Sequence, residues 1–414
     1  MSLFALVSAA AWLIVVITAA VFRSREYALF RAVMLGVHSL IAVAILPLFE
    51  ALWAPLVWPF FYLHASVILQ SLFLVRPRMR SFSHRALVSI PASFFQAGTM
   101  LALPWALIAA FGLKAPFAFV PYALAALGLW QSVRRPALEE IDVVVRDGNA
   151  GERVRPHPRG EARRERPLRI VQITDTHLGA FMPVSRLRAV CARAVERDPD
   201  LVLLTGDFLT MESQNDPEVL ATALEPLTPV AGRTFACLGN HDLEAPETVR
   251  RALAKIGAKL LIDQAVDVET AAGPVQIVGM DFTWRRRRER LTEACARNPR
   301  KPEHLRIVLL HDPGAFRHLP EGEADLALSG HTHGGQLGLV SLGLDWTIVR
   351  GLSGSPDHGF WARGVDRLYV HRGTGHYGFP IRLGVPAEES LLRIHWAEGE
   401  LREAHSSSNV AGIS

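Results

Sequence analysis

Acidic residues are almost missing from the first third of this 414-residue chain. Residues 1–135 hold two, Glu26 and Glu50, against ten basic side chains, a net of +8. Disorder is excluded, because half of the chain is hydrophobic. Cysteine is also scarce: Cys191, Cys237 and Cys295 lie far apart and form no CxxC pair. That excludes a disulfide scaffold and fits buried thiols in a reducing compartment. The composition excludes a coiled coil, and no internal repeat is present. Residues 136–414 carry 34 basic and 38 acidic side chains, a net of −4, so the chain's total of +4 is a sum of unlike parts. Phosphate-backbone binding needs clustered positive charge on the binding domain. No nucleic-acid partner is expected.

Long apolar runs stand where the charge is missing. Crossing a hydrocarbon core of about 30 Å takes roughly 20 apolar residues. Residues 3–22, 32–49, 55–75, 86–113 and the shorter 117–133 are candidate spans. Pro91, Pro104 and Pro121 are tolerable where neighbouring helices satisfy freed backbone groups. The first run lacks a basic leader segment and is followed by further spans, so it does not read as a cleaved signal. Arginines fall in alternate loops: Arg23, Arg25 and Arg31; then Arg76, Arg78, Arg80 and Arg85; then Arg134 and Arg135. The intervening loops hold only Glu50 and Lys114. Basic loops stay cytoplasmic. The expectation is a multi-pass protein of the inner (plasma) membrane with the bilayer as partner, five spans, and everything after Arg135 cytoplasmic. His38 and His64 lie within spans without an acidic partner and read as packed imidazoles rather than a proton relay.

The expected organisation is a helical membrane domain over 1–135, a strand and flexible linker over 136–167, a catalytic domain over 168–400 and a disordered tail over 401–414. Residues 141–145 read as a strand, and 147–167 as a linker rich in Gly, Pro, Glu and Arg. Apolar strands then alternate with helices. Strands are expected at 169–173, 201–204, 234–238, 275–278, 307–310, 326–328, 367–370 and 391–394, and helices at 184–196, 218–227 and 246–256. That order implies an α/β sheet covered on both faces. The arginine run at 284–290 reads as a solvated helix start. The apolar stretch 338–352 is expected to face the bilayer.

Polar residues cluster where these strands end. Five strands deliver Asp175-Thr-His177, Gly206-Asp207, Gly239-Asn-His-Asp242, His311 and Gly330-His-Thr-His333 in turn. Ligands bind outside the carboxyl ends of strands in α/β sheets. Carboxylate, imidazole and amide without thiolate suit two divalent first-row metals such as Mn, Fe or Zn. A metal pair about 3.5–4 Å apart supports displacement at phosphorus.

The ordered blocks DTH, GD, GNHD, H and GHTH resemble the calcineurin-like metallophosphoesterases over about residues 168–395. GHTHGGQ, with Tyr369-Val-His-Arg-Gly-Thr-Gly375 and Pro380-Ile-Arg382, is similar to the membrane-associated YkuE/YaeI-like branch. Pro386-Ala-Glu-Glu389 departs from that branch, which more usually has Pro-Glu and an apolar residue. The resemblance implies a four-layer α/β/β/α metallophosphatase sandwich. It implies Asp175, His177 and His333 on one metal, Asn240, His311 and His331 on the other, and Asp207 bridging. It further implies that His241 contacts phosphate and protonates the leaving oxygen, with Asp242 orienting its ring. The expected reaction is hydrolysis of a phosphomonoester, phosphodiester or pyrophosphate. A phospholipid or a nucleotide-linked glycolipid such as UDP-diacylglucosamine is the lipid-linked substrate class. The alternative is a non-catalytic membrane sensor or scaffold, which a missing ligand would betray; none is missing.

Overall fold

The computed structural model describes residues 2–396 except 137, 162, 163 and 377, so the tail expected at 401–414 lies outside the described residues. The apolar runs are helices: α1 (Leu3–Phe22), α2 (Arg25–Leu52), α3 (Val57–Phe73), a single turn α4 (Phe82–His84), α5 (Ile90–Leu101), α6 (Leu103–Ala110) and α7 (Val120–Val133). Ser2 and Ser24 start α1 and α2 by accepting from the backbone N–H groups of Ala5 and Tyr27, which helix starts leave unpaired. Leu35, Ile45, Phe60 and Phe95 fill the bundle core. Its outer face is also apolar, with Leu3 77% exposed, Leu40 73% and Trp58 75%. A water-facing helix would put polar residues there.

Among the described residues, three helices are long and apolar enough to cross a membrane, at Leu3–Phe22, Arg25–Leu52 and Ala54–Phe73. Phe82–Leu101 and Leu103–Ala110 make a fourth span only if the pair, bent by 56°, counts as one. Pro104, in the first turn of α6, stands just after that bend. α7 has 14 residues, about 21 Å at the helical rise. Against the five expected spans, the fifth of them shorter, the described residues thus supply three helices of full spanning length, or four with the bent pair. His38 and His64 stack at 5.4 Å between ring centroids, and Ser8 Oγ lies 3.1 Å from His64 Nε2.

The catalytic part holds β1 (Leu138–Val144), β2 (Arg155–Pro156), β3 (Leu168–Ile173), α8 (Val184–Glu196), β4 (Leu201–Leu204), α9 (Pro217–Leu224), β5 (Thr234–Ala236), α10 (Pro246–Ile256) and β6 (Lys259–Leu260). It continues through β7 (Gln264–Thr270), β8 (Gly273–Gly279), α11 (Arg287–Arg297), β9 (Leu305–Leu309), β10 (Leu326–Ser329), α12 (Ile348–Ser353), β11 (Gly359–Arg363), β12 (Asp366–Val370) and β13 (Glu389–His395). One sheet has the order β1-β13-β3-β4-β5-β6 and the other β2-β11-β12-β10-β9-β8-β7. Ile170, Leu203 and Phe235 meet Ile277, Ile307 and Leu328 between the sheets. Leu187, Leu220 and Leu253 cover the outside of the first sheet, and Leu291 and Phe316 that of the second. Four layers result, α/β/β/α, as the resemblance implied; the strand-and-helix alternation had implied only an α/β sheet covered on both faces.

Residues 147–161 differ from the flexible linker that their composition suggested. β2 pairs with β11, the Ala150 N–H donates to the Gly364 carbonyl and the Gly364 N–H to the Gly151 carbonyl, and Asp147 meets Arg367 and His157. A polar segment is held here by partners more than 200 residues away, which composition does not reveal.

The arginine-bearing ends of the helices abut the catalytic part. Arg23 reaches Gln214, Gln70 donates to Glu212 at 3.0 Å, and Gln131 accepts from the Gly384 N–H at 2.9 Å. Ala97 of α5 and Ala125 of α7 pack with Ile381.

Candidate metal centre

The carboxyl ends of β3, β4, β5, β9 and β10 converge, bringing all the ligand blocks to one place. Five of the expected ligands have left-handed backbones: Asp175, His177, Asp207, His331 and His333, with φ between 45° and 68°. Such a conformation costs a residue with a Cβ about 1–2 kcal/mol, and it gathers at functional sites. Gly330 and Gly239 permit the close packing. A Cβ on Gly330 would overlap the Asp175 carboxylate, and one on Gly239 the Asp207 carboxylate.

Two ligand groups form. Asp175, His177 and His333 bring one ligand atom each within 4.8 Å of one another, as do Asp207, His311 and His331. In the first, His177 Nε2 and His333 Nε2 are 3.2 Å apart, and His333 Nε2 is 3.5 Å from Asp175 Oδ1. Asp207 Oδ2 lies 3.2 Å from His311 Nε2 and 3.7 Å from His177 Nε2, so one oxygen faces both groups. That is the placement a bridging carboxylate requires.

The donor atoms fit cations. Asn240 Oδ1 and His331 Nδ1 are buried with no hydrogen-bond partner, and His311 Nε2 faces Asp207 Oδ2; all three belong to residues expected on the second metal. Buried polar atoms are otherwise paired. His311 Nδ1 faces the Thr205 carbonyl at 2.6 Å, and His177 Nδ1 the Leu209 carbonyl at 3.2 Å. A proton on each Nδ1 leaves the Nε2 lone pair aimed at the centre. Burial pushes His177 down to about 3 and His331 to about 4, and it holds His333 well below its ordinary value. These imidazoles are neutral, as metal ligation demands. Burial also raises Asp175 to about 6. Burial would lower His311, but the Asp207 charge carries it up to about 10, and His311 in turn holds Asp207 below the usual carboxylate range against its own burial.

His241 stands beside these groups, its ring 5.3 Å from that of His177 and its backbone N–H donating to Asp207 Oδ1 at 2.9 Å. Asp242, expected to orient that ring, is engaged with the backbone. Its carboxylate accepts from the backbone N–H groups of Asp207, Phe208 and Gly239 at 2.7–2.9 Å, tying the ends of β4 and β5 together. Glu244 is the carboxylate beside the imidazole, 3.8 Å from Nδ1. Burial opposes protonation of His241, yet Glu244 and Asp207 raise it above its ordinary value. The His-x-x-Glu spacing on the turn at Asp242–Glu244 was the available signal for Glu244.

Around the site, Phe282 and Trp284 pack near His331, with centroids 6.1 Å and 5.8 Å away. Arg287, from the arginine run, pairs with Asp312 at 2.5 Å and leads into α11. Arg372 is held by Glu139 at 2.7 Å and Glu388 at 3.1 Å, which makes it structural. Glu388 belongs to the motif that departs from the branch; it accepts from the buried Tyr369 hydroxyl as well.

Comparison with known proteins points the same way. The calcineurin-like phosphoesterase pattern matches residues 168–335. Phosphodiesterase YaeI of Escherichia coli is 32% identical over 240 residues, covering 55% of this chain and 82% of that protein. The chain belongs to the calcineurin-like phosphoesterase family. UDP-2,3-diacylglucosamine pyrophosphatase LpxG of Chlamydia muridarum is 28% identical, covering 55% of this chain and 83% of that protein. A bovine transmembrane protein with a metallophosphoesterase domain is 26% identical, covering 66% of this chain and 60% of that protein. As a calcineurin-like phosphoesterase, the chain is a metal-dependent phosphohydrolase with two divalent ions, and the two ligand groups provide for them.

Proposed function

We propose that this phosphoesterase is a multi-pass membrane enzyme that hydrolyses a phosphate ester of a lipid-linked substrate at the cytoplasmic face. The observation that carries this reading is the meeting of arginine-bearing helix ends with the catalytic part, through Arg23, Gln70 and Gln131. The side expected to be cytoplasmic is thus the side occupied by the metal centre. Five passes are proposed as three full helices, the bent α5–α6 pair, and α7 completing a shorter crossing whose end leads into β1. The outward apolar residues of α1–α3 then face lipid. The name of the LpxG relative supports a lipid-linked phosphoester, with phospholipid and nucleotide-linked glycolipid as the two substrate classes.

Asp175, His177 and His333 hold one metal in this reading, Asn240, His311 and His331 the other, and Asp207 bridges. Two cations held there would supply Lewis acidity at the phosphoryl oxygens and water activation. His241, at the edge of both groups and with its protonation favoured by Glu244, donates its proton to the leaving oxygen. Asp242 positions Asp207 through the backbone.

Purified full-length protein with Mn²⁺ is expected to release p-nitrophenol from p-nitrophenyl phosphate or its bis-ester. Asp207→Asn and His241→Ala are each expected to reduce kcat/KM by about 100-fold or more. Undiminished activity in both variants overturns the assigned roles. Protease added to inside-out membrane vesicles is expected to remove the catalytic part, and added to intact spheroplasts to spare it; the reverse result overturns the orientation.

A further inference from the structure

Between the helical bundle and the catalytic part lies a cavity of about 230 Å³ that touches metal ligand His177 on one side and α2, α3 and α5 on the other. Its wall is mainly apolar on the bundle side, through Phe30, Met34, Val67 and Leu74. Three polar side chains of the wall stand out. Arg31 is 7% exposed; its Nε donates to the Tyr27 hydroxyl at 2.8 Å, and it has no carboxylate partner among the described residues. Glu212 is 6% exposed; Oε1 accepts from Gln70, while Oε2 is buried without a partner. His376 is likewise buried, with Nε2 unpartnered.

A buried guanidinium without a counter-ion is costly unless an anion reaches it. Glu212 and His376 both belong to the cavity wall, and each keeps a buried polar atom without a partner that a small shift would offer to a polar ligand. An apolar wall on the membrane side, a lone cation in the middle and a metal ligand at the far end fit one shape of molecule. That molecule is an anionic amphiphile, whose chain lies among the helices while its phosphate ester faces the metals.

We infer that this cavity is the substrate chamber, that it takes an alkyl- or acyl-bearing phosphoester from the bilayer, and that Arg31 holds an anionic oxygen of it. The inference rests on the proposed membrane reading and deepens it: the bundle becomes part of the binding site rather than an anchor. Arg31 and Met34 lie outside residues 168–335, so the family match does not assign them. Glu212, whose carboxyl burial raises above the usual range, is suited to meet a substrate hydroxyl. Phe30, 44% exposed, stands at the rim.

The test uses full-length protein in dodecyl maltoside and two diesters with one leaving group, hexadecyl p-nitrophenyl phosphate and ethyl p-nitrophenyl phosphate. The expected result is a kcat/KM for the hexadecyl ester about tenfold or more above that for the ethyl ester, expressed in KM. Arg31→Gln and the cavity-filling Met34→Trp are expected to bring that ratio close to one, and Leu113→Ala, remote from the cavity, to keep it. Native mass spectrometry of metal-stripped protein with hexadecyl phosphate is the second readout. Wild type is expected to retain the ligand, inorganic phosphate is expected not to compete, and Arg31→Gln and Met34→Trp are expected to lose it. A folded Arg31→Gln protein that keeps both the wild-type ratio and the bound hexadecyl phosphate overturns the inference. Equal hydrolysis of both esters by wild type overturns it as well, while leaving the phosphohydrolase reading intact. Failure to hydrolyse either diester or p-nitrophenyl phosphate overturns the catalytic reading instead, and the binding measurement still decides whether the chamber exists.

Discussion

At the scale of single residues, the centre is built by forcing side chains into positions that their backbones resist. Asp175, His177, Asp207, His331 and His333 all take left-handed φ values, and Gly330 gives way to the Asp175 carboxylate. Gly330→Ala is therefore expected to displace Asp175 and lower the metal content of purified protein, measured by plasma emission, from about two ions toward one. Glu244→Gln should move a different quantity. Glu244 raises the His241 pKa, and a general acid must be protonated, so activity falls as pH rises past that pKa. Removing the carboxylate lowers the pKa, and the alkaline limb of the kcat/KM profile is expected to shift to lower pH. An unshifted limb would return the orienting role to another group. Away from the site, Asp325 is buried and held by Arg146 at 2.7 Å, Arg300 at 2.6 Å and the Arg306 N–H at 2.7 Å. Burial alone would raise its pKa, but the arginines hold it below the ordinary carboxylate value. Its contribution is complete above the unfolded-state pKa of about 4 and is lost as pH falls through the depressed one. Asp325→Asn is expected to destabilise by about 3 kcal/mol near neutral pH and to flatten the loss of Tm in acid, followed by calorimetry.

At the scale of elements, strands and their ends were legible because short apolar runs ending in polar residues describe one element at a time. β3, β4 and β9 and the helices α8 and α10 all follow from such runs. β2, β7 and β11 do not: they are edge or near-edge strands with mixed polarity, shaped by the neighbour each pairs with. The fifth apolar run shows the opposite limit, since hydropathy reports a segment's affinity for lipid but not where α7 begins. The stretch 338–352, expected to face the bilayer, exposes several large apolar side chains. Leu342 is 74% exposed, Leu352 83% and Trp346 51%, while Leu337 packs where α5 and α7 meet the catalytic part. Such a patch next to the bundle is suited to the bilayer surface. A fluorophore on Leu342→Cys is expected to be quenched by lipids bearing nitroxides near the headgroups, and one on Arg288→Cys is not. Cys191, Cys237 and Cys295 are buried and leave the labelling selective.

At the scale of the whole molecule, two sheets and a bundle meet at the metal centre, and the cations belong to its stability as well as its chemistry. Neutral imidazoles and crowded carboxylates with orphaned acceptors are compatible in one place when cations join them. Chelation is accordingly expected to lower Tm and Mn²⁺ to restore it, the bound ion adding about 2.7 kcal/mol of stability at 100 times the dissociation constant. The charge pattern, the ligand blocks and their order are determined by the sequence itself, because each lies within one segment or at one strand's end. Partners from distant segments were decided by tertiary structure alone. The Asp242 carboxylate reached the backbone at the end of β4, 34 and 35 positions back along the chain. Arg31, one more basic loop residue in the sequence, became a buried cation facing a cavity that ends at His177, 146 positions along the chain. The physical reason is the same in each case: what a side chain meets depends on which surfaces fold together, and spacing along one element carries no record of the other surface.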